Sequence, residues 1–267
     1  MIGVELVKLV RRPRTWLMVG MLCLLPTVVA VFLKTSGVAP RPGTGPAFLS
    51  AVLSNGALFP AAALAIVLPL FLPVAVCVVA GDAIAGEAQA GTLRYLLVRP
   101  VGRTRLLVAK LVSVVVFTLL SVVAVSAVAY VVGVQLFGSA PLPSTSGTVL
   151  TTQDATLRTV TAVLYVGWSM LGVAAVAMFF STFTDSPLAA ALAAIGLLVL
   201  SGVLVGLDAA SSVQPYLPTR YWLSFVDLFR DPPLYRDVVR GTLLQGTYIV
   251  VLLTAAWANF TTRDITS

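Results

Sequence analysis

The chain has 267 residues, 59% of them hydrophobic and only 10% charged, with a formal net charge of +7 and no histidine. Soluble domains carry roughly a quarter charged residues, so this composition excludes an ordinary soluble globule and reads as an integral membrane protein. The missing histidine removes the commonest general base and the commonest neutral metal ligand, and the basic excess fits loops at anionic headgroups rather than a nucleic-acid surface.

Residues 1–14 read as an amphipathic helix. Ile2, Leu6, Leu9 and Val10 fall on one face and Glu5, Lys8 and Arg12 on another, with Arg11 beside them. Such a helix lies in the headgroup plane. Pro13 then turns the chain into the first span, with Trp16 at the interface. An apolar span needs about 20 residues, and six segments qualify: 15–33, 57–81, 111–137, 159–181, 187–207 and 242–260. None of the six contains Asp, Glu, Lys or Arg. Pro60, Pro69 and Pro73 are expected to bend the second. Cys23 and Cys77 lie inside apolar runs and read as small buried hydrophobes, not as a disulfide or a metal site.

Residues 82–110 form a charged island between the second and third spans, with five basic residues and two acids. Gly91 permits an abrupt turn. Thr92 can cap a short helix running to about residue 99, before Pro100. Leu93, Leu96 and Leu97 give that helix an apolar face. Arg94 and Arg99 offer directional hydrogen-bond forks, and Glu87 is placed to pair with a basic group on a partner or within the loop.

The segment 138–157 reads as a polar linker. In the turn 182–186, Asp185 or Ser186 can cap the fifth span, with Pro187 at its first position. In that span Gly202-x-x-x-Gly206 permits close helix packing or a dimer contact. Residues 208–241 form an outer loop in which Trp222, Phe225, Val226 and Phe229 make one helical stripe. It reads either as an aromatic belt at the interface or as a lid over an outer exit.

Basic residues set orientation. With the N-terminus inside, segments 1–14, 82–110, 182–186 and 261–267 hold ten Lys and Arg, against seven in the outer segments. Both termini are therefore expected in the cytoplasm.

No phosphate-binding loop of the G-x-x-x-x-G-K-[ST] type occurs, and no charge lies within the six expected spans, although ion-coupled carriers need such groups. The chain carries no catalytic set of its own, and an energy source is expected on another polypeptide. The string Gly86-Glu87-Ala88-Gln89-Ala90-Gly91-Thr92-Leu93-Arg94, followed by Arg99-Pro100 and by Arg103, Arg105 and Lys110, resembles the loop between the second and third helices of type-2 ABC exporter permeases. The start, with Glu5, Lys8, Arg11, Arg12 and Pro13, resembles their elbow helix, and the ending Asn259-Phe260 with Arg263-Asp264-Ile265 is similar too.

The resemblance implies an all-α permease domain spanning 1–267. It would have an N-terminal elbow helix, six transmembrane helices and outer-surface helices before the last span. Residues 87–99 would act as a coupling helix seated on an ATPase. Two permease copies, as a homodimer or with a similar subunit, would bind two ATPase copies. ATP and magnesium would be held by the ATPase, with no cofactor on this chain. The expected function is ATP-driven export of an amphipathic, drug-like or lipid-like substrate across a bacterial plasma membrane, with membrane lipids as further partners and no nucleic acid. The rivals are an ion-coupled carrier or channel and a non-transporting membrane anchor.

Overall fold

The computed structural model describes residues 1–36, 55–91, 102–138, 142–143, 149–150 and 152–262. Its helices are α1 (Ile2–Arg11), α2 (Pro13–Ser36), α3 (Phe59–Val67), α4 (Phe71–Gln89), α5 (Arg103–Phe137), α6 (Thr152–Phe183), α7 (Pro187–Val205) and α8 (Arg236–Thr262). Short 3₁₀ turns lie between several of them. Leu142–Pro143 pairs antiparallel with Val149–Leu150, placing Leu142 opposite Leu150. Among the described residues, six helices are long and apolar enough to cross a membrane: α2, α4, α5, α6, α7 and α8. They match the six expected spans in order.

The second span departs from expectation. It is two helices, α3 and α4, separated at Leu68–Leu70. Pro60 lies in the first turn of α3, where a missing N–H leaves no bond unmade, so it starts a helix instead of bending one. Pro69 and Pro73 remove the donors for the carbonyls of Ala65 and Pro69, and Leu70 leaves the helical region at φ −140°, ψ −58°.

The helices also overrun the apolar runs. Alanines at 83, 85 and 88 favour helix, and the chain turns only at Gly91, whose φ is +66°. Asp82 and Glu87, read in the sequence as loop residues, therefore occupy the last turns of α4. Arg103 to Lys110 form the first two turns of α5. Most of the charged island is two helix ends facing each other.

α6 is central and packs against α4, α5, α7 and α8. The 3₁₀ turn Gly56–Leu58 that leads into α3 approaches α5 closely because two glycines meet there. A Cβ on Gly56 would run into the Gly133 carbonyl, and one on Gly133 would run into Gly56 and Phe59. Three hydroxyls of α5 satisfy themselves within the helix: Thr118, Ser121 and Ser126 each donate to the carbonyl four residues earlier. Cys23 and Cys77 are free thiols. Ser186 caps α7, its hydroxyl accepting from the Ala189 amide at 3.3 Å.

Several bonds define one end of the bundle. Arg103 Nη1 donates to the Thr261 carbonyl at 2.9 Å, and Asn259 Nδ2 donates to the Thr182 carbonyl at 2.9 Å. The end of α4, the start of α5, the α6–α7 turn and the end of α8 thus share the end that carries α1.

At the other end, residues 208–229 are three 3₁₀ segments held by side chains of the spans. The last, Trp222–Phe229, buries Trp222, Phe225, Leu228 and Phe229. The three-residue spacing of 222, 225 and 228 is the period of a 3₁₀ helix, not the α-helical stripe expected. These rings pack inside the bundle, so they form no aromatic belt against lipid. Gln245, buried in mid-α8, donates to the Pro218 carbonyl at 2.7 Å, and the Tyr165 hydroxyl donates to the Tyr221 carbonyl at 2.5 Å. Tyr165→Phe removes one of two donors to that carbonyl, the Ser224 amide at 3.0 Å being the other, and should destabilise the fold by about 0.5–1.5 kcal/mol. The same change at Tyr248, whose bond to the Tyr216 carbonyl is exposed, should cost much less. Paired thermal unfolding of the two variants in nanodiscs measures the difference.

Candidate functional site

The charged end is built from three segments far apart in sequence. Helix α1 offers Glu5 and Lys8, one turn apart and so on one face. The last turns of α4 offer Asp82 and Glu87, and the second turn of α5 offers Lys110. Lys110 Nζ lies 3.0 Å from Glu5 Oε2 and 2.7 Å from Glu87 Oε1. Lys8 Nζ lies 3.5 Å from Glu5 Oε1 and 3.4 Å from Glu87 Oε1. Two ammonium groups and two carboxylates alternate in a neutral ring that ties α1 to α4 and α5. The Lys110 side chain is 7% exposed and the two carboxylates 13%. At such burial each charge depends on its partners, because an unpaired ion there bears the full loss of its hydration.

Beside the ring, Arg12 Nη1 and Arg14 Nη2 both reach Asp82 Oδ2, at 3.2 and 2.6 Å. Gly86 makes room for this carboxylate, since a Cβ there would run into Asp82 Oδ1. The polar face of α1 therefore points into the bundle, while Val4, Val7 and Val10 are exposed. The sequence placed that polar face toward water. Leu9 alone of the apolar side chains of α1 is buried.

A further contact enters α4 within the stretch that carries these acids. The Ser181 hydroxyl donates to the Gly81 carbonyl at 2.7 Å and accepts from the amides of Ile84 and Ala85 at 3.1 and 3.0 Å. A side chain from α6 has thus entered the hydrogen-bond ladder of α4, a recognised cause of helix bending. Nothing in the sequence pattern marks Ser181. The spacing of Asp82 to Gly86 and of Glu5 to Lys8 was readable, but it names no partner.

The other expected site residues divide as follows. Glu87 is bound within the chain, to Lys110 and Lys8. Thr92, Leu93, Arg94, Leu96, Leu97 and Arg99, the body of the expected coupling helix, lie outside the described residues. Trp16 is half-exposed and its indole N–H donates to the Val10 carbonyl at 2.7 Å, bracing the turn at Pro13. Arg11 is exposed. Gly202 makes no close helix contact within the chain: a Cβ there would meet nothing within 4 Å. With Leu70, Leu198 and Trp222 it lines an apolar cavity of about 210 Å³ at the other end of the bundle. Gly206 lies just after the end of α7 as its C-cap. No cluster of three or more metal-ligating side chains occurs among the described residues.

This arrangement defines a helical bundle with six membrane-capable helices and a docked amphipathic helix at one end. The family model described as "Protein of unknown function (DUF2705)" matches residues 23–266. The chain belongs to that family. A search of curated proteins gives no match.

Proposed function

We propose that this chain is the membrane-spanning permease subunit of an ATP-driven ABC exporter, with ATP and magnesium held by a separate ATPase. One observation supports this reading most. The ring of Glu5, Lys8, Glu87 and Lys110 fastens α1 to the two helix ends that flank residues 92–101, a stretch that holds most of the 87–99 segment to which the resemblance assigns the coupling helix. A force applied to that short stretch would reach α1, α4 and α5 together. α1 is the elbow helix in this reading, both termini are cytoplasmic, and two permease copies pair, with Gly202 and Gly206 on the pairing face. The 3₁₀ segment with Trp222, Phe225 and Phe229 closes the outer end, and the cargo is amphipathic or lipid-like.

The test is made in the loop. Leu96→Ala and Arg94→Ala should leave the bundle folded and inserted but lower co-purification of an ATPase. Truncating a packed leucine anchor costs about 2 kcal/mol or more, which is tenfold or more in occupancy. Arg236→Ala, at the other end, should leave the complex intact. A pull-down in which the three variants retain the ATPase equally would sink the coupling assignment. Labelling of a cysteine at position 90 by an impermeant outside reagent would reverse the orientation.

A further inference from the structure

We propose that the cavity between α1, α2, α4 and α5 holds the phosphodiester headgroup of one anionic glycerophospholipid, gripped by Arg12 and Arg14. This holds whether or not the chain transports anything.

The cavity measures about 300 Å³ and is lined, among the described residues, by four cations, Lys8, Arg12, Arg14 and Lys110, and three anions, Glu5, Asp82 and Glu87. The ring uses Lys8, Lys110, Glu5 and Glu87 and is neutral. What remains is Asp82 with two arginines, a surplus of one positive charge. A phosphodiester carries one negative charge, so it balances the cavity. Both arginines converge on a single oxygen, Asp82 Oδ2, through one nitrogen each. Each guanidinium has five N–H donors, so each retains donors for a second oxyanion, and its fork suits phosphate oxygens.

The walls change character with depth, which separates a lipid from a free phosphate. Met18 lies one turn further along α2 than Arg14, and Val78 one turn further back along α4 than Asp82. Both residues line the same cavity. At 1.5 Å per residue, each is about 6 Å deeper toward the middle of the spans. The site is polar where headgroups lie and apolar where a lipid's glycerol and first methylenes would follow. Basic pockets between membrane helices are a known way to hold anionic headgroups.

The experiment titrates the full-length protein, in a zwitterionic detergent, with phosphatidylglycerol, phosphatidylcholine and soluble glycerol 3-phosphate. Wild type should prefer phosphatidylglycerol over phosphatidylcholine and bind glycerol 3-phosphate far more weakly. R12Q/R14Q should weaken phosphatidylglycerol binding by about tenfold or more. Asp82→Asn keeps both arginines and removes their competitor, so it should tighten binding, and it serves if the double variant does not fold. Met18→Trp fills the apolar part and should weaken the lipid but not glycerol 3-phosphate. Arg105→Gln removes a charge from the same end but outside the cavity and should change nothing. Unchanged binding in R12Q/R14Q, looser binding in Asp82→Asn, or equal losses in Arg105→Gln would overturn the proposal. Glycerol 3-phosphate binding as tightly as the lipid would reassign the site to a free phosphate.

Discussion

Lys110→Met should be among the most damaging single changes outside the apolar core. It leaves Glu5 and Glu87, each 13% exposed, bridged only by the longer contacts of the 42%-exposed Lys8, at 3.5 and 3.4 Å. Breaking a buried ion pair by removing one partner costs about 3–5 kcal/mol, a shift of roughly 10²–10⁴ in the equilibrium at 1.36 kcal/mol per decade. The loss should appear first in α1, whose docking depends on the ring, and then in global stability. Hydrogen exchange of the α1 amides and thermal unfolding in nanodiscs read the two separately. Adding Glu87→Gln removes one of the stranded charges, so Lys110→Met/Glu87→Gln should recover a large part of the loss. Equal stability of the single and double variants would show that the ring does not hold α1. The Arg12 and Arg14 pairs with Asp82 are more exposed, and raising salt should weaken them before it weakens the ring.

Gly133→Val should be nearly as severe, for a different reason. The atoms a side chain would meet are the backbone of Gly56 and the Cβ of Phe59, and none of them can swing aside as the end of a long side chain can. Over-packing a well-filled contact costs about 1–3 kcal/mol, and here the only relief is separation of α3 from α5. Low yield and a lowered unfolding temperature are expected. Gly202→Val is the matched control, because a Cβ there meets nothing in this chain. It should unfold like wild type. If two copies pair through that face, it should instead shift the monomer–dimer ratio, seen by single-molecule photobleaching. A Gly133→Val protein as stable as wild type would mean that α3 and α5 do not approach as closely as described.

The six spans were legible because an apolar run of about 20 residues has few other uses. Their ends were not. Asp82, Glu87 and Lys110 look like loop residues in isolation, yet each is paired inside the bundle: Asp82 with Arg12 and Arg14, 70 and 68 residues away, and Lys110 with Glu87, 23 residues away, and with Glu5. A reading by local pattern has no access to that pairing. The break at Leu68–Leu70 was half legible: the prolines announced a disturbance, but not that Pro60 would start a helix and the other two would split one. The stripe at 222–229 was visible as apolar. Its 3₁₀ period and burial depend on Tyr165 and Gln245, donors on other helices that catch the Tyr221 and Pro218 carbonyls. The expected coupling helix, 92–99, rests on its motif alone, while Glu87 at its edge has its partners inside the chain.

The ring also imposes an order in time. A ribosome delivers Glu5 and Lys8 before Glu87, and Glu87 before Lys110. When α1 is made, the α4 and α5 residues that its polar face docks on do not yet exist, and it must wait on the membrane surface while the chain from Arg11 to Lys110 is synthesised. Lys110 arrives as α5 begins to enter the bilayer, where a lone ammonium is costly to submerge. The two carboxylates it needs are by then already waiting at the entry point. Helix α1 is made before α4 and α5 and is fixed only after both. Closure of the ring marks the moment when the first half of the chain has been threaded correctly.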